Sequence, residues 1–430
     1  MLKLLNIKHN ISKGGYLRYK RKKLGWTQEK VCEGICSVTY LSKIETGKVV
    51  PNEEIFLLLC ERLNICPSDI DQFPTDELEE LFDQIYEAIE CRQIEKAKKL
   101  VDEIKPFESF IELEPELYLS YILLMYYFYL TIGNFHKANY YMTNLMDNKE
   151  HLSTEQKLMF QYFRGVHLCI DQQYEKGLSF LLAVEKTLVK QGIKYGNLYF
   201  HLAMAYSFLQ NSIMAVYYAQ TALKLYDETT NYLRSLDCKM ILGINYARTK
   251  NFHAAEKEYR QILDLATTLQ MDDILARVYH NLGYMYFEKK WYQEAEKMFK
   301  ESIQYREEHH KQRIWTTLYL IDLYIEQQRF EDANTYLQQL RHHHAIQEME
   351  IEIEYRLKRM NYLQQPDKGT FEEAYIDFVT TNYLPYIEKI NEHKKRTFLL
   401  TELGNYFYKK RKYKLAADYF RLVNEYQISY

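Results

Sequence analysis

The sequence predicts an all-α protein in two parts, a short helical head and a long array of helix pairs, and three observations predict it. Only 14 glycines and 7 prolines punctuate 430 residues, too few for collagen-like, linker-like or most loop-rich β architectures. An apolar fraction of 47% beside 27% charged residues supports large buried cores rather than disorder. From residue 75 onward a pattern of small and aromatic residues returns about every forty positions, so one repeating unit absorbs a length otherwise expected of two or three domains.

The head is basic and the body acidic. Residues 1–66 hold 12 Lys and Arg against 6 Asp and Glu, so within a net charge of -3 the remainder carries -9. Such an asymmetry implies a polyanionic partner for the head. Cys66-Pro67 and Phe73-Pro74 bracket a turn-prone stretch in which each proline disfavours helix at the residue before it. These boundaries give a head at 1–66, a linker at 67–74 and a repeat region at 75–430.

Within the head, Lys13 to Leu24 fits a first helix ended by Gly25. Thr27 is the N-cap of a second, Gln28 to Glu33, which Gly34 stops. Ser37 caps a third helix running to about Glu45 and closed by Gly47. Two short helices joined by Gly34-Ile35-Cys36 leave Val31, Ile35, Leu41 and Ile44 for a small core and expose Val38, Thr39, Ser42 and Lys43. That is a helix-turn-helix, whose last helix enters a major groove. Helix N-termini and hydroxyls such as Thr27 and Ser37 suit phosphate oxygens. Thr39 and Lys43, four apart on one face, suit base edges: a lysine donates to guanine acceptors and a threonine methyl touches thymine.

The string Arg21-Lys-Lys-Leu-Gly-Trp-Thr-Gln28, followed by Ser37-Val-Thr-Tyr-Leu-Ser-Lys-Ile-Glu45-Thr-Gly47 and Pro51, resembles the Xre/Cro family of phage-repressor-type domains. The resemblance implies a five-helix head in which Arg21 pairs with Glu45 to brace the first helix against the third. It also implies that Gln28 and Ser37 meet phosphates, that Val38, Thr39 and Lys43 face bases, and that Tyr40 and Ser42 lie beside them. Cys32 departs from the small alanine usual at its position but keeps its size.

In the body, the fullest copies of the pattern are Leu282-Gly283-x-x-Tyr286 with Ala295 and Phe299, Leu242-Gly243-x-x-Tyr246 with Ala255 and Tyr259, and Leu403-Gly404-x-x-Phe407 with Ala416 and Phe420. Weaker copies centre on Ala97, Ala138, Gly177, Ala215, Ala333 and Ala374. Small residues let two antiparallel helices approach closely while aromatic residues fill the space between pairs. The markers predict nine helix pairs without a gap.

This pattern resembles the tetratricopeptide repeat, with a longer period. The resemblance implies a right-handed superhelix with a concave inner surface suited to peptides. One Xre-type head followed by about nine such repeats resembles the peptide-sensing Rap, NprR, PlcR, PrgX and Rgg regulators of Gram-positive bacteria, in an NprR-like arrangement. What that implies is a cytoplasmic quorum-sensing transcription regulator that pairs through its repeats as a homodimer or higher even oligomer. Its partners would be an operator in double-stranded DNA and a short re-imported signalling peptide. The alternative is a Rap-like module that sequesters a phosphorelay response regulator, with or without DNA binding.

Repeat register nominates the residues that would hold a peptide. First-helix positions near the glycine marker are Asn197, His201, Asp237, Asn245, Arg277, Asn281, Tyr284 and Asp322. Asparagine offers both a donor and an acceptor to an extended backbone, while Arg277 and Asp322 suit termini or charged side chains.

Other constellations point away from chemistry. His309-His310 and His342-His343-His344 look like metal tracts, but adjacent helical residues point in different directions. Cys32, Cys36, Cys60 and Cys66 match no zinc spacing, and seven cysteines thinly spread fit a reducing cytosol without a disulfide framework. Neither a phosphate-cradling glycine loop, HExxH nor Gly-x-Ser-x-Gly is present, so the reading is a protein without cofactor, metal or enzymatic activity. The opening MLKLLNIKHNIS is no convincing secretion signal, and Leu117 to Leu130 reads as a buried helix rather than a membrane span, so no membrane partner is expected.

Overall fold

A computed structural model describes residues 13–66, 75–112, 115–307, 310–341, 350–364, 369–390 and 392–428. All regular elements among them are helical. The expected linker at 67–74, together with His309 and His342-His343-His344, lies outside the described residues.

Four of the five helices expected in the head are described: α1 (Lys13–Lys23), α2 (Gln28–Cys32), α3 (Val38–Glu45) and α4 (Glu53–Arg62). Thr27 and Ser37 cap α2 and α3 through their side chains, accepting from Lys30 N at 3.3 Å and Tyr40 N at 3.1 Å. Leu17, Val31, Leu41, Ile44 and Leu59 are fully buried together, with Ile35 partly buried against them. Helices α1 and α3 approach so closely that a Cβ on Gly14 would stand 1.7 Å from the Ile44 carbonyl oxygen, and only glycine fits there.

The body contains nine helix pairs among the described residues. The first five are α5 (Thr75–Glu90) with α6 (Ile94–Ile104), α8 (Pro115–Thr131) with α9 (Phe135–Asp147), α10 (Thr154–Ile170) with α11 (Tyr174–Lys190), α12 (Gly196–Phe208) with α13 (Ser212–Glu228), and α14 (Tyr232–Arg248) with α15 (Phe252–Thr268). The remainder are α16 (Asp272–Glu288) with α17 (Tyr292–Gln304), α18 (Lys311–Glu326) with α19 (Phe330–Arg341), α20 (Glu350–Gln364) with α21 (Gly369–Phe378), and α23 (His393–Lys409) with α24 (Tyr413–Ile428). Short helices α7 (Glu108–Ile111) and α22 (Leu384–Lys389) fill connections.

The pairs repeat because their turns repeat. After most first helices one residue takes left-handed backbone: Arg92, Gln172, Gln210, Lys250, Lys290, Gln328 and Arg411 near φ 60, with glycine used at Gly133. The next amide then bonds the carbonyl five residues back, as Asn251 N to Tyr246 O at 2.8 Å and Trp291 N to Tyr286 O at 2.9 Å. This is a Schellman closure, and its two hydrogen bonds offset the cost of about 1 kcal/mol for a side chain at positive φ.

The small-residue markers Ala97, Ala138, Ala215, Ala255, Ala295 and Ala333 are fully buried. At Gly283 a Cβ would lie 2.5 Å from the Phe299 ring, so glycine and aromatic are a matched pair across α16 and α17. The eighth pair departs from the expected register: Ala374 is exposed and its neighbour Tyr375 is buried instead. Here α21 runs directly into a π-helical turn, Val379–Tyr383, ahead of Pro385.

The chain forms two compact units, 1–255 and 256–430. In the first, α8, α10, α12 and α14 pack in succession over one large aromatic core. Tyr19 of α1 packs against both this core and that of the head. In the second, α16, α18 and α20 pack in succession, and a core around Tyr355, Tyr375, Tyr383 and Leu403 joins α20 to α23. The Leu117 to Leu130 stretch is buried within α8, and no described helix is long and apolar enough to cross a membrane.

Candidate functional site

In the head, α3 stands on a charged brace. Arg21 donates from Nε to Glu45 Oε1 at 2.6 Å and from Nη2 to Oε2 at 2.7 Å, and both side chains are buried. A third Arg21 nitrogen donates to the Trp26 carbonyl at 2.9 Å, which ties the turn before α2 to α1. This bidentate fork fixes the angle between α1 and α3 more firmly than a single contact. Gln28 completes the cluster: its Nε2 donates to Glu45 Oε2 at 2.7 Å, so that part of the amide faces inward. Arg62 on α4 donates to the carbonyls of Lys30 and Glu33 at 3.2 and 3.0 Å and holds the end of α2.

On the outer side of α3, Ser37, Thr39 and Lys43 are exposed, while Val38, Tyr40 and Ser42 are half-buried. Val38 and Tyr40 also pack against the head core. The helix therefore presents a narrow polar strip of hydroxyl, hydroxyl and ammonium, flanked by apolar shoulders.

In the first unit the nominated repeat residues are already engaged. Asn197 is buried and its Oδ1 accepts from the Tyr226 hydroxyl. His201 bonds the Tyr162 hydroxyl through Nδ1 at 2.8 Å, and burial, aided by the nearby Arg234 charge, lowers its pKa to about 3. Asp237 binds Arg92 through both carboxylate oxygens, at 2.7 and 2.8 Å. Asn245 is fully enclosed, donating to Ser207 Oγ at 2.9 Å and to the Ile241 carbonyl at 2.8 Å. It lies enclosed between α12 and α14.

The second unit arranges its nominees differently. Arg277, Asn281 and Tyr284 on α16 are half-exposed, with the Tyr284 ring edge-on to Tyr319 at 5.3 Å. Asp322 on α18 accepts from Arg356 Nη2 at 2.6 Å. Arg356 is almost wholly buried and also donates to Glu352 Oε2 at 2.6 Å, which in turn accepts from Tyr383 at 2.9 Å and Lys395 at 2.7 Å. Burial alone would raise the Glu352 carboxyl, but Arg356 and Lys395 hold its pKa at about 2.

The sequence reading missed Glu90, Arg92, Arg234 and Tyr195 in the first unit and Glu352, Arg356 and Lys395 in the second. Glu352 and Arg356 stand four apart on α20, a spacing that marks a helical ion pair. The contacts of Arg92 and Glu90 span more than a hundred residues and leave no such periodic trace. Among the described residues no group of three or more His, Cys, Asp or Glu could hold a metal ion. Cys32, Cys36, Cys60 and Cys66 are all free thiols, and His310 serves as the N-cap of α18.

Comparison with known proteins matches residues 17–70 to a helix-turn-helix family and residues 232–308 to the tetratricopeptide repeat. The chain is 27% identical over 404 residues to the transcriptional activator NprA of Geobacillus stearothermophilus, covering 91% of this chain and 97% of that protein. In fold it is similar to the apo form of the quorum sensor NprR from B. thuringiensis, with a TM-score of 0.69 at 21% identity over 81% of this chain and 98% of that one. The structure of NprR with its cognate peptide NprX gives a TM-score of 0.63 at the same identity, over 82% and 98%. A Rap protein complexed with competence and sporulation factor gives 0.67 at 18% identity, over 83% and 99%.

Proposed function

The chain belongs to the family of NprA, NprR and the Rap proteins, and from that premise we propose that it is a transcription regulator whose operator binding is set by a short signalling peptide held on its repeats. The observation that carries this reading is the union, in one chain, of a braced helix-turn-helix with an exposed recognition strip and nine helix pairs whose first helices present polar side chains.

On the head, Thr39 and Lys43 meet base edges, with Val38, Tyr40 and Ser42 beside them. Ser37 sits at the helix start where phosphate oxygens bind. Gln28 positions α3 through Glu45 and has a second N–H left for a phosphate. On the repeats, Arg277, Asn281 and Tyr284 form the half-exposed ligand face, which Asp322 joins once it releases Arg356. Asn197, His201 and Asp237 join a ligand only after their present partners have moved.

One head covers too little DNA for ordinary operator affinity, so the working form is a homodimer or higher even oligomer on a palindromic site. The protein acts in the cytoplasm, without catalysis, as its relatives' regulatory roles support.

Lys43→Ala tests the reading most directly. Competition binding should show a loss of about 1 to 3 kcal/mol on the specific operator and a blurred preference at one base pair. Unchanged selectivity removes α3 from the role of recognition helix. Sedimentation that finds only monomer, alone and with operator, removes the oligomer. Capture of a phosphorelay response regulator together with no operator shift at moderate salt replaces the whole reading with the Rap-like one.

A further inference from the structure

In an array of helix pairs each pair should touch only its neighbours, because every pair buries its faces on the next. The first pair here does more. Beyond its packing on α8, the C-terminal turn of α5 reaches the fourth and fifth pairs within the same compact unit. The Tyr195 hydroxyl, just ahead of α12, donates to Glu90 Oε2 at 2.6 Å and shares a 2.6 Å hydrogen bond with Tyr86. Arg234 on α14 donates from Nε to the Glu90 carbonyl at 2.9 Å, and Arg92 forks onto Asp237. Asn231 adds a contact to the Cys91 sulfur at 3.6 Å.

These contacts are polar and partly open to solvent: the Arg92 side chain keeps 35% of its exposure and Glu90 is only half-buried. The apolar core beneath them includes Phe163, Leu202, Ala203, Ala222 and Leu242, and also Leu78, Phe82, Ile85 and Ile89 of α5 itself. Breaking the polar set therefore loosens the C-terminal end of α5 without dissolving the array, since the rest of α5 stays in that core. Helix α5 is also the first described element after the head.

We propose that the end of α5 with Arg92 is a latch, an internal occupant of the first-helix face of this unit, whose release frees Asp237 and Arg234, while Asn197 and His201 keep their own bonds to Tyr226 and Tyr162. The latch is a property of the fold; only the identity of what it guards rests on the function proposed above. A ligand for this face and the latch compete for the same side chains, so the latch sets a threshold for response, and its closed form is the one seen here.

Hydrogen exchange on the full chain tests this. In the wild type, the C-terminal end of α5 should exchange through a local opening, faster than α10. Arg92→Ala should accelerate it by about tenfold while α10 to α13 stay within about twofold, since a partly exposed ion pair fastens only the element it touches. Arg92→Ala with Asp237→Asn should add at most about twofold more, because the two residues serve one contact. Tyr195→Phe, which leaves the ion pair in place, should accelerate α5 by a smaller factor. Millimolar ethylguanidinium should slow α5 in Arg92→Ala by occupying Asp237. Exchange of α5 that does not respond to Arg92→Ala, or that rises in step with α8 to α14, overturns the latch. A protein that shows the expected exchange yet shifts no operator keeps the latch and loses the regulator, whereas one that shifts operator while α5 and α10 exchange together loses only the latch.

Discussion

In the first compact unit Asn197, His201 and Asp237 lie buried, bonded to Tyr226, Tyr162 and Arg92, whereas in the second Arg277, Asn281 and Tyr284 occupy the same kind of repeat position half-exposed. Both faces are dense in tyrosine and charge, and they differ in how the charge is compensated. The first unit neutralises Asp237 with a distant arginine at a partly open edge. The second neutralises Asp322 and Glu352 with Arg356, whose side chain is 1% exposed. Repeat register thus sets where a side chain stands, while partners from outside the register decide whether a ligand can reach it.

The largest expected effect lies in the second unit. Removing a buried charge that serves two carboxylates strips Asp322 of Arg356 and leaves Glu352 to Lys395 and Tyr383, a loss typically of about 3 to 5 kcal/mol when a buried pair is broken. Arg356→Ala should lower the unfolding free energy from urea titration by that amount and loosen α18, α20 and α23 together, because all three meet at Glu352 and Asp322. Arg356→Met with Asp322→Asn should recover part of the loss, since it also removes the carboxylate charge stranded by Arg356, while Glu352 keeps Lys395. A midpoint unmoved by Arg356→Ala would show that the network is solvated and that the two faces are less different than their geometry.

Acid treats both units alike through their histidines. His201 and His280 are held neutral by burial, with help from Arg234 and Arg306 respectively, and their pKa values fall to about 3 and about 4. Each folded value is below the ordinary histidine value of 6.5, so the unfolded chain takes up protons first as pH falls. The contribution of each is complete above pH 6.5 and shrinks as pH drops from 6.5 toward 4. Between those limits His201 alone should cost roughly 3 kcal/mol, as each unit of pKa difference carries about 1.4 kcal/mol. Urea unfolding of wild type and His201→Asn at pH 7 and pH 4.5 should converge at the lower pH, because asparagine has nothing to protonate. Parallel losses in the two proteins would mean that His201 titrates normally.

Much of this organisation was legible in the sequence. Gly25, Gly34 and Gly47 with the caps Thr27 and Ser37 placed the head helices to within a residue or so, and Ala97 through Ala333 marked pairs that the structure contains. Local signals of this kind work because capping and close helix approach each demand a residue type at one position. Ala374 misled because the signal assumed that the small residue takes the buried position of the second helix, whereas in α21 Tyr375 is buried and Ala374 is exposed. The latch at Arg92 and the enclosure of Asn245 were invisible for a different reason. The first depends on a pair meeting others three and four places along the array, and the second on how closely one first helix packs on the next, neither of which a single repeat encodes.

The smallest effect separates the two asparagines that the sequence treats as equivalent. Asn245 and Asn281 each stand near the glycine marker of their repeat, at Gly243 and Gly283. Asn245 is wholly enclosed and bonds Ser207 and the Ile241 carbonyl, so alanine there removes two buried hydrogen bonds, leaves Ser207 Oγ to Arg248 alone, and should cost about 1 to 2 kcal/mol of stability. Asn281 is half-exposed, and alanine there should move the unfolding free energy by less than about 0.5 kcal/mol. Peptide affinity should divide the opposite way. Calorimetry with synthetic fragments of a small secreted reading frame beside the gene should show Asn281→Ala weakening binding by about 1 to 3 kcal/mol, as a peptide backbone group loses its partner. Asn245→Ala should bind the same fragment normally once both proteins are folded. If instead Asn245→Ala abolishes binding and Asn281→Ala leaves it intact, the ligand face lies in the first unit, and α5 must move before any peptide is held.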